Sequence, residues 1–178
     1  MNGWGPSTYG QPCRECGFDW SVPLGAARAR LTEVGRNYRD LLDGAAGTER
    51  HPELAWTVAG YVSHVADNLR IWTERLRGVA SGATPQVGGY DENELARARN
   101  DALIPLAAAL WSLGLSVTEW HKAVDEARPT GALMIHPERG ELDLLAVVTS
   151  NVHDAHHHLW DVGRALAYCA GTGSGGAP

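Results

Sequence analysis

Apolar residues recur at helical spacing in four separate stretches of the chain, and the gaps between them are polar or rich in Gly and Pro. After Pro23, suited to a first helical turn, Leu24, Ala27, Leu31, Val34, Tyr38, Leu41 and Leu42 form a stripe that ends at Gly44. A second stripe, Val58, Tyr61, Val62, Val65, Leu69, Trp72 and Leu76, predicts a helix over 57–78. Residues 81–89 carry Gly and Pro at a density no helix tolerates and read as a long crossover loop, followed by a short helical piece over 91–99. Asp101 is placed to cap a third long helix, with Pro105 in its first turns, running through Leu106, Leu110, Leu113, Val117, Trp120 and Val124 to the break at Arg128-Pro129. Residues 132–142 suggest a small hairpin or irregular loop. Asp143 then caps a fourth helix that reaches about Cys169.

Four amphipathic helices with one long connection between the second and third predict an all-α fold, a four-helix bundle. The expected organisation is an N-terminal arm over 1–22, a bundle over 23–170 and a tail over 171–178. Residues 1–12 and the tail, both rich in Gly, Ser or Pro, are expected to be poorly ordered.

Composition narrows the function. With 178 residues and 44% apolar content the chain suits one domain with a real core. A net charge of -6 argues against nucleic acid or an anionic membrane as partner. No apolar run reaches the roughly 18 residues that span a bilayer, and the start has no signal-peptide pattern, so a cytoplasmic protein is expected. A small molecule is the expected substrate, with a homodimer left open. Lys122 is the only lysine, and this bias toward arginine points to a high-GC bacterial genome.

The candidate chemistry lies in histidine. Four of the eight histidines fall between residues 153 and 158, inside the fourth helical stripe. His153 and His157, four residues apart, share one helical face and can reach a single ion. His64 lies on the inner stripe of the second helix; taken alone, it reads as a core histidine bonded to a carbonyl. Together, His64, His153 and His157 form a three-imidazole set that leaves a position open for water or substrate, the pattern of a catalytic metal site. Three consecutive residues span some 300 degrees of helix, so His156 and His158 fall toward the edges of this face. Asp67, Asp154 and Asp161 are placed either to orient imidazoles or to serve as surface charges.

The run from Trp56 through Tyr61 and His64 to Asp67, with the run from His153 to Asp161, resembles the DinB/YfiT-like superfamily of metal-dependent four-helix bundles. Tyr90-Asp91-Glu92-Asn93 is similar to a segment of its actinobacterial members. The resemblance covers roughly residues 23–168 and matches His64, His153 and His157 to the family's metal triad. It implies a divalent transition metal, zinc in the first place with nickel, iron or copper as alternatives. It also implies a low-molecular-weight thiol such as mycothiol, activated for S-transfer or isomerisation. A metal-activated water, giving a hydrolase, lyase or cyclase, is the alternative, and a non-enzymatic metal-binding or redox-sensing module is a third reading. Arg70 and Arg164 are the candidates for holding a substrate or cofactor carboxylate, with solvated surface charge as the alternative role of each.

Cys13-Arg14-Glu15-Cys16-Gly17 has the form of half a zinc knuckle. One pair cannot fill a tetrahedral site, so further ligands are sought in Cys169, His51, His121, His136 or another chain. A redox dithiol and an inert pair remain as alternatives. If the arm folds over the pocket, its thiols reach the active-site ion and the three-histidine set no longer stands alone.

Overall fold

The computed structural model describes residues 5–173. A single helical turn, α1 (Pro6–Tyr9), precedes four long helices, α2 (Leu24–Leu41), α3 (Val58–Ala80), α5 (Leu106–Ala127) and α6 (Leu144–Gly173). Between α3 and α5 lie the crossover loop and the short α4 (Glu92–Arg99), and between α5 and α6 an antiparallel hairpin, β1 (Met134–His136) and β2 (Gly140–Leu142). The four long helices make the expected bundle: α3 lies along α5, and α2 along α6.

Helix ends follow local chemistry. The Thr57 hydroxyl accepts from the Gly60 N–H at the start of α3, Asp91 accepts from the Glu94 N–H at α4, and Asp143 accepts from the Ala146 N–H at α6. Asp101 does not cap α5. It opens a 3-10 turn, Asp101–Leu103, and α5 starts only at Leu106, because Ile104 precedes a proline and is held extended at φ -75, ψ 124. Gly47, at φ +86, lets the loop before α3 pass against Leu106; a Cβ there would lie 2.8 Å from the Leu106 Cβ.

The core is built on Tyr38, Leu31, Leu69, Trp72, Leu76 and Trp120, all nearly inaccessible. Two buried polar bonds fix α6 against its neighbours: Tyr38 Oη donates to the Ala155 carbonyl at 3.2 Å, and Trp120 Nε1 donates to Asn151 Oδ1 at 2.9 Å. The crossover loop is pinned to the hairpin by Val87 N–H to the Ile135 carbonyl, 3.0 Å, and Ile135 N–H to the Pro85 carbonyl, 2.8 Å. The loop and hairpin thereby stand beside one end of α3 and α6.

The arm differs from expectation. Residues 5–12 are structured: α1 carries Tyr9 onto α6, where its ring centroid lies 4.7 Å from that of His153. Aromatic burial outweighs the Gly- and Pro-rich composition here. Residues 171–173 continue α6, while 1–4 and 174–178 lie outside the described residues. No helix of the described residues is long and apolar enough to cross a membrane.

Candidate metal centres

A cavity of about 670 Å³ opens between the arm, α3, α6, the crossover loop and the hairpin. Its wall carries His64 and Asn68 from α3, His153, Asp154, His157 and His158 from α6, and Tyr9 from the arm. Among the described residues, the metal-capable side chains form two groups rather than one. In each, one ligand atom from every residue lies within 4.8 Å of the others.

The first group is His64, Asp154 and His158. Asp154 Oδ1 lies 3.6 Å from Nε2 of both His64 and His158, and Asn68 Nδ2 donates to Asp154 Oδ2 at 2.7 Å. His158 Nδ1 meets Asp161 Oδ2 at 3.0 Å, which favours the tautomer with Nε2 free to bind an ion. The Trp56 ring stacks on His64 with centroids 4.7 Å apart. Burial by itself would raise the pKa of Asp154, but the His158 and His64 imidazoles and the Asn68 amide hold it well below the usual carboxylate range. Burial opposes charge on His64 in turn, and the Asp154 carboxylate outweighs it, so that imidazole is raised. Two imidazoles and one carboxylate, with room on the cavity side, are a donor set suited to a divalent transition metal with open positions.

The second group is Cys13, Cys16, His153 and His157. The arm brings the two sulfurs onto α6: Cys13 Sγ lies 3.8 Å from His157 Nδ1, and His156 Nε2 meets the Cys16 carbonyl at 3.1 Å. The knuckle turn closes by Gly17 N–H to the Cys13 carbonyl, 2.9 Å, with Gly17 at φ +73. His157 Nε2 is 3.3 Å from Glu15 Oε2. Burial pushes the Cys16 thiol up to about 12. It brings His153 down to about 3, with the neighbouring His157 acting in the same direction.

In the unfolded chain His153 takes up a proton as pH falls through about 6.5, whereas in the fold it stays neutral to about 3. The unfolded state therefore binds more protons in that window, and the metal-free protein is expected to lose stability as pH falls from 6.5 toward 3. Urea midpoints across this range, shallower in a His153→Gln variant, are the measurement. An identical pH slope in the two proteins contradicts this origin.

His64, His153 and His157 all line this cavity, but His64 clusters with Asp154 and His158, and His153 and His157 cluster with the two cysteines. Asp154 and His158 have the same four-residue spacing as His153 and His157 but are turned by one residue, roughly 100 degrees, toward α3. His153 and His157 face the arm instead. Asp161 does orient an imidazole, that of His158, whereas Asp67 pairs with Arg99 and, at 3.4 Å, with Arg70. The further ligands sought for the cysteines are not Cys169, His51, His121 or His136. Cys169 contacts the Arg50 carbonyl, His51 meets Tyr168 edge-on, His121 meets Thr32, and His136 stacks on Trp72.

Arg70 and Arg164 are likewise absent from the cavity wall. Arg70 is engaged by Asp67 and Glu74, and Arg164 by Glu53 and Asp161. The arginines that line the cavity are Arg75 and Arg139. Arg75 donates to the Gly88 carbonyl and lies 4.5 Å over the Trp72 ring. Burial lowers both guanidinium pKa values, that of Arg139 to about 10, and both remain charged at neutral pH. Tyr90 also lines the wall, its hydroxyl donating to Asn68 Oδ1 at 3.3 Å. In the sequence, Arg75 lies three residues beyond the core residue Trp72, and Arg139 sits in a hairpin turn; neither position marks a pocket by periodicity.

Residues 24–162 match the family model of the DinB superfamily. Among solved structures, the fold is similar to that of YfiT from Bacillus subtilis, described as a probable metal-dependent hydrolase with an unusual four-helix bundle topology. The TM-score is 0.72 at 17% sequence identity, covering 84% of this chain and 91% of that one. No curated protein matches the chain.

Proposed function

The chain belongs to the DinB superfamily, and from this premise we propose that it is a divalent-metal-dependent enzyme acting on a small polar substrate in the cavity beside His64, Asp154 and His158. The observation that carries this reading is the convergence of these three side chains, donated by two helices, at the wall of a cavity of about 670 Å³. The donors fit an ion: Asp154 is ionised and buried, and His158 is oriented by a carboxylate on its far nitrogen. A divalent ion held there lowers the pKa of water or a thiol and supplies a nucleophile at neutral pH.

The remaining wall has its own tasks. Asn68 fixes the Asp154 carboxylate through Oδ2, leaving Oδ1 toward the two imidazoles. Trp56 covers one face of His64 and excludes water from that side. Arg75 and Arg139 give the cavity wall a positive pole that suits a carboxylate or polarised carbonyl oxygen of the substrate.

We take the nucleophile to be water, which makes the reaction a hydrolysis; the likeness to YfiT supports this. Transfer to a low-molecular-weight thiol is the second reading; the same two arginines suit a thiol that carries a free carboxylate, as glutathione does and mycothiol does not. Protein stripped with a chelator and reloaded with zinc, manganese, iron(II) or nickel distinguishes them on a panel of esters, amides and lactones. Turnover that returns with metal and needs no thiol is the expected result. A strict thiol requirement assigns transfer, and turnover indifferent to metal removal contradicts both.

Asp161→Asn is expected to weaken metal affinity at this site by roughly 10- to 100-fold, the usual effect of losing a ligand's outer partner. Competition with a chromophoric chelator measures it, and an unchanged affinity would show that Asp161 does not orient His158.

A further inference from the structure

Cys13, Cys16, His153 and His157 share no residue with the cluster assigned to catalysis, yet they too converge at the junction of arm and bundle. We propose that they form a second, structural transition-metal site, best suited to zinc, that fastens the N-terminal arm to α6. Four observations combine. The donor set is two thiols and two imidazoles, a full tetrahedral complement with no position left for substrate. Its atoms lie within 4.8 Å of one another although the two halves are some 140 residues apart in sequence. Cys13 and His153 are both 2% exposed, and the cysteines are free rather than disulfide-bonded. Finally, His153 Nε2 is buried without a hydrogen-bond partner, an arrangement that is unfavourable unless something such as an ion satisfies it.

The surroundings hold the ligands in place. The His153 ring contacts Trp20 at 4.3 Å and Tyr9 at 4.7 Å between centroids, and Phe18 at 5.5 Å. Three arm aromatics thus enclose one bundle ligand. On binding, each thiol releases its proton to solvent and the two neutral imidazoles bind through ring nitrogen, so the ion's charge is balanced by the two thiolates. Because Tyr9 lines the catalytic cavity, an ion at this site also fixes one of that cavity's walls. The inference does not depend on the reading of His64, Asp154 and His158.

The test uses the intact protein, stripped of metal under reducing conditions and loaded with cobalt(II). A thiolate-to-cobalt charge-transfer band with the d–d absorption of a tetrahedral ion is expected. It should be lost in the Cys13→Ser/Cys16→Ser double variant, together with one metal equivalent. In His64→Ala the band should persist while the other equivalent is lost. Limited proteolysis of the arm is expected only after this metal is removed. A single equivalent accompanied by the thiolate band would uphold the arm site and count against the catalytic one. Cobalt loading of the wild type with no thiolate band, or a Cys13–Cys16 disulfide in the freshly purified protein, would overturn the proposal without recourse to any variant.

Discussion

Replacing Asp154 by asparagine is expected to abolish metal-dependent turnover and to weaken metal binding at the His64 cluster by more than the roughly 10- to 100-fold that loss of an outer partner causes. Asparagine keeps the shape of the side chain and the reach to Asn68 but removes the charge that both imidazoles face at 3.6 Å. Two neutral imidazoles and an amide oxygen are a poor set for a hard or borderline cation. In the metal-free variant, burial is opposed only by the charges of Glu92 and Asp67, and the His64 pKa should drop from the raised position that the Asp154 carboxylate maintains. Histidine proton NMR reads that change independently of activity. Circular dichroism should show the helices intact. Wild-type turnover and metal content in Asp154→Asn would remove the carboxylate from the site.

The largest structural effect is expected at Trp120. Its ring is fully buried in α5, and its Nε1–H reaches Asn151 on α6, two residues before His153. Trp120→Ala empties the space of the largest side chain and leaves a buried amide oxygen without its donor. A loss of about 3–5 kcal/mol is expected, with a fall in Tm on the order of 10 °C for a domain of this size. Because the bond fixes α6 against α5 just ahead of the ligand-bearing turns, metal affinity should fall as well. Urea denaturation of metal-free protein separates the two effects, and a loss below about 1 kcal/mol would mean that the ring is not the packing anchor its burial indicates.

The bundle was legible because its signal is periodic. Stripes such as Val58, Val62, Val65, Leu69, Trp72 and Leu76 name both the helix and its buried face, and α2, α3 and α6 begin within a residue or so of the positions that Pro23, Thr57 and Asp143 mark. The late start of α5 follows from a local rule, the effect of Pro105 on Ile104, that the helical stripe hides. The site was legible only in part. His64, the histidine cluster and the cysteine pair all stand out as residue types, but two overlapping four-residue pairs, His153/His157 and Asp154/His158, carry the same spacing. Which pair faces α3 depends on the rotation of α6, set by contacts such as Tyr38 to Ala155 and Trp120 to Asn151. The return of the arm to α6 is a contact between distant parts of the chain, driven by Tyr9, Phe18 and Trp20 around one histidine, and no local pattern announces it.

The central claim, that one helix serves two metal sites through adjacent pairs of residues, is tested most directly by anomalous diffraction at the zinc absorption edge from crystals of zinc-loaded protein. Two peaks are expected, one among Cys13, Cys16, His153 and His157 and the other among His64, Asp154 and His158. A single peak held jointly by His64, His153 and His157 would contradict it.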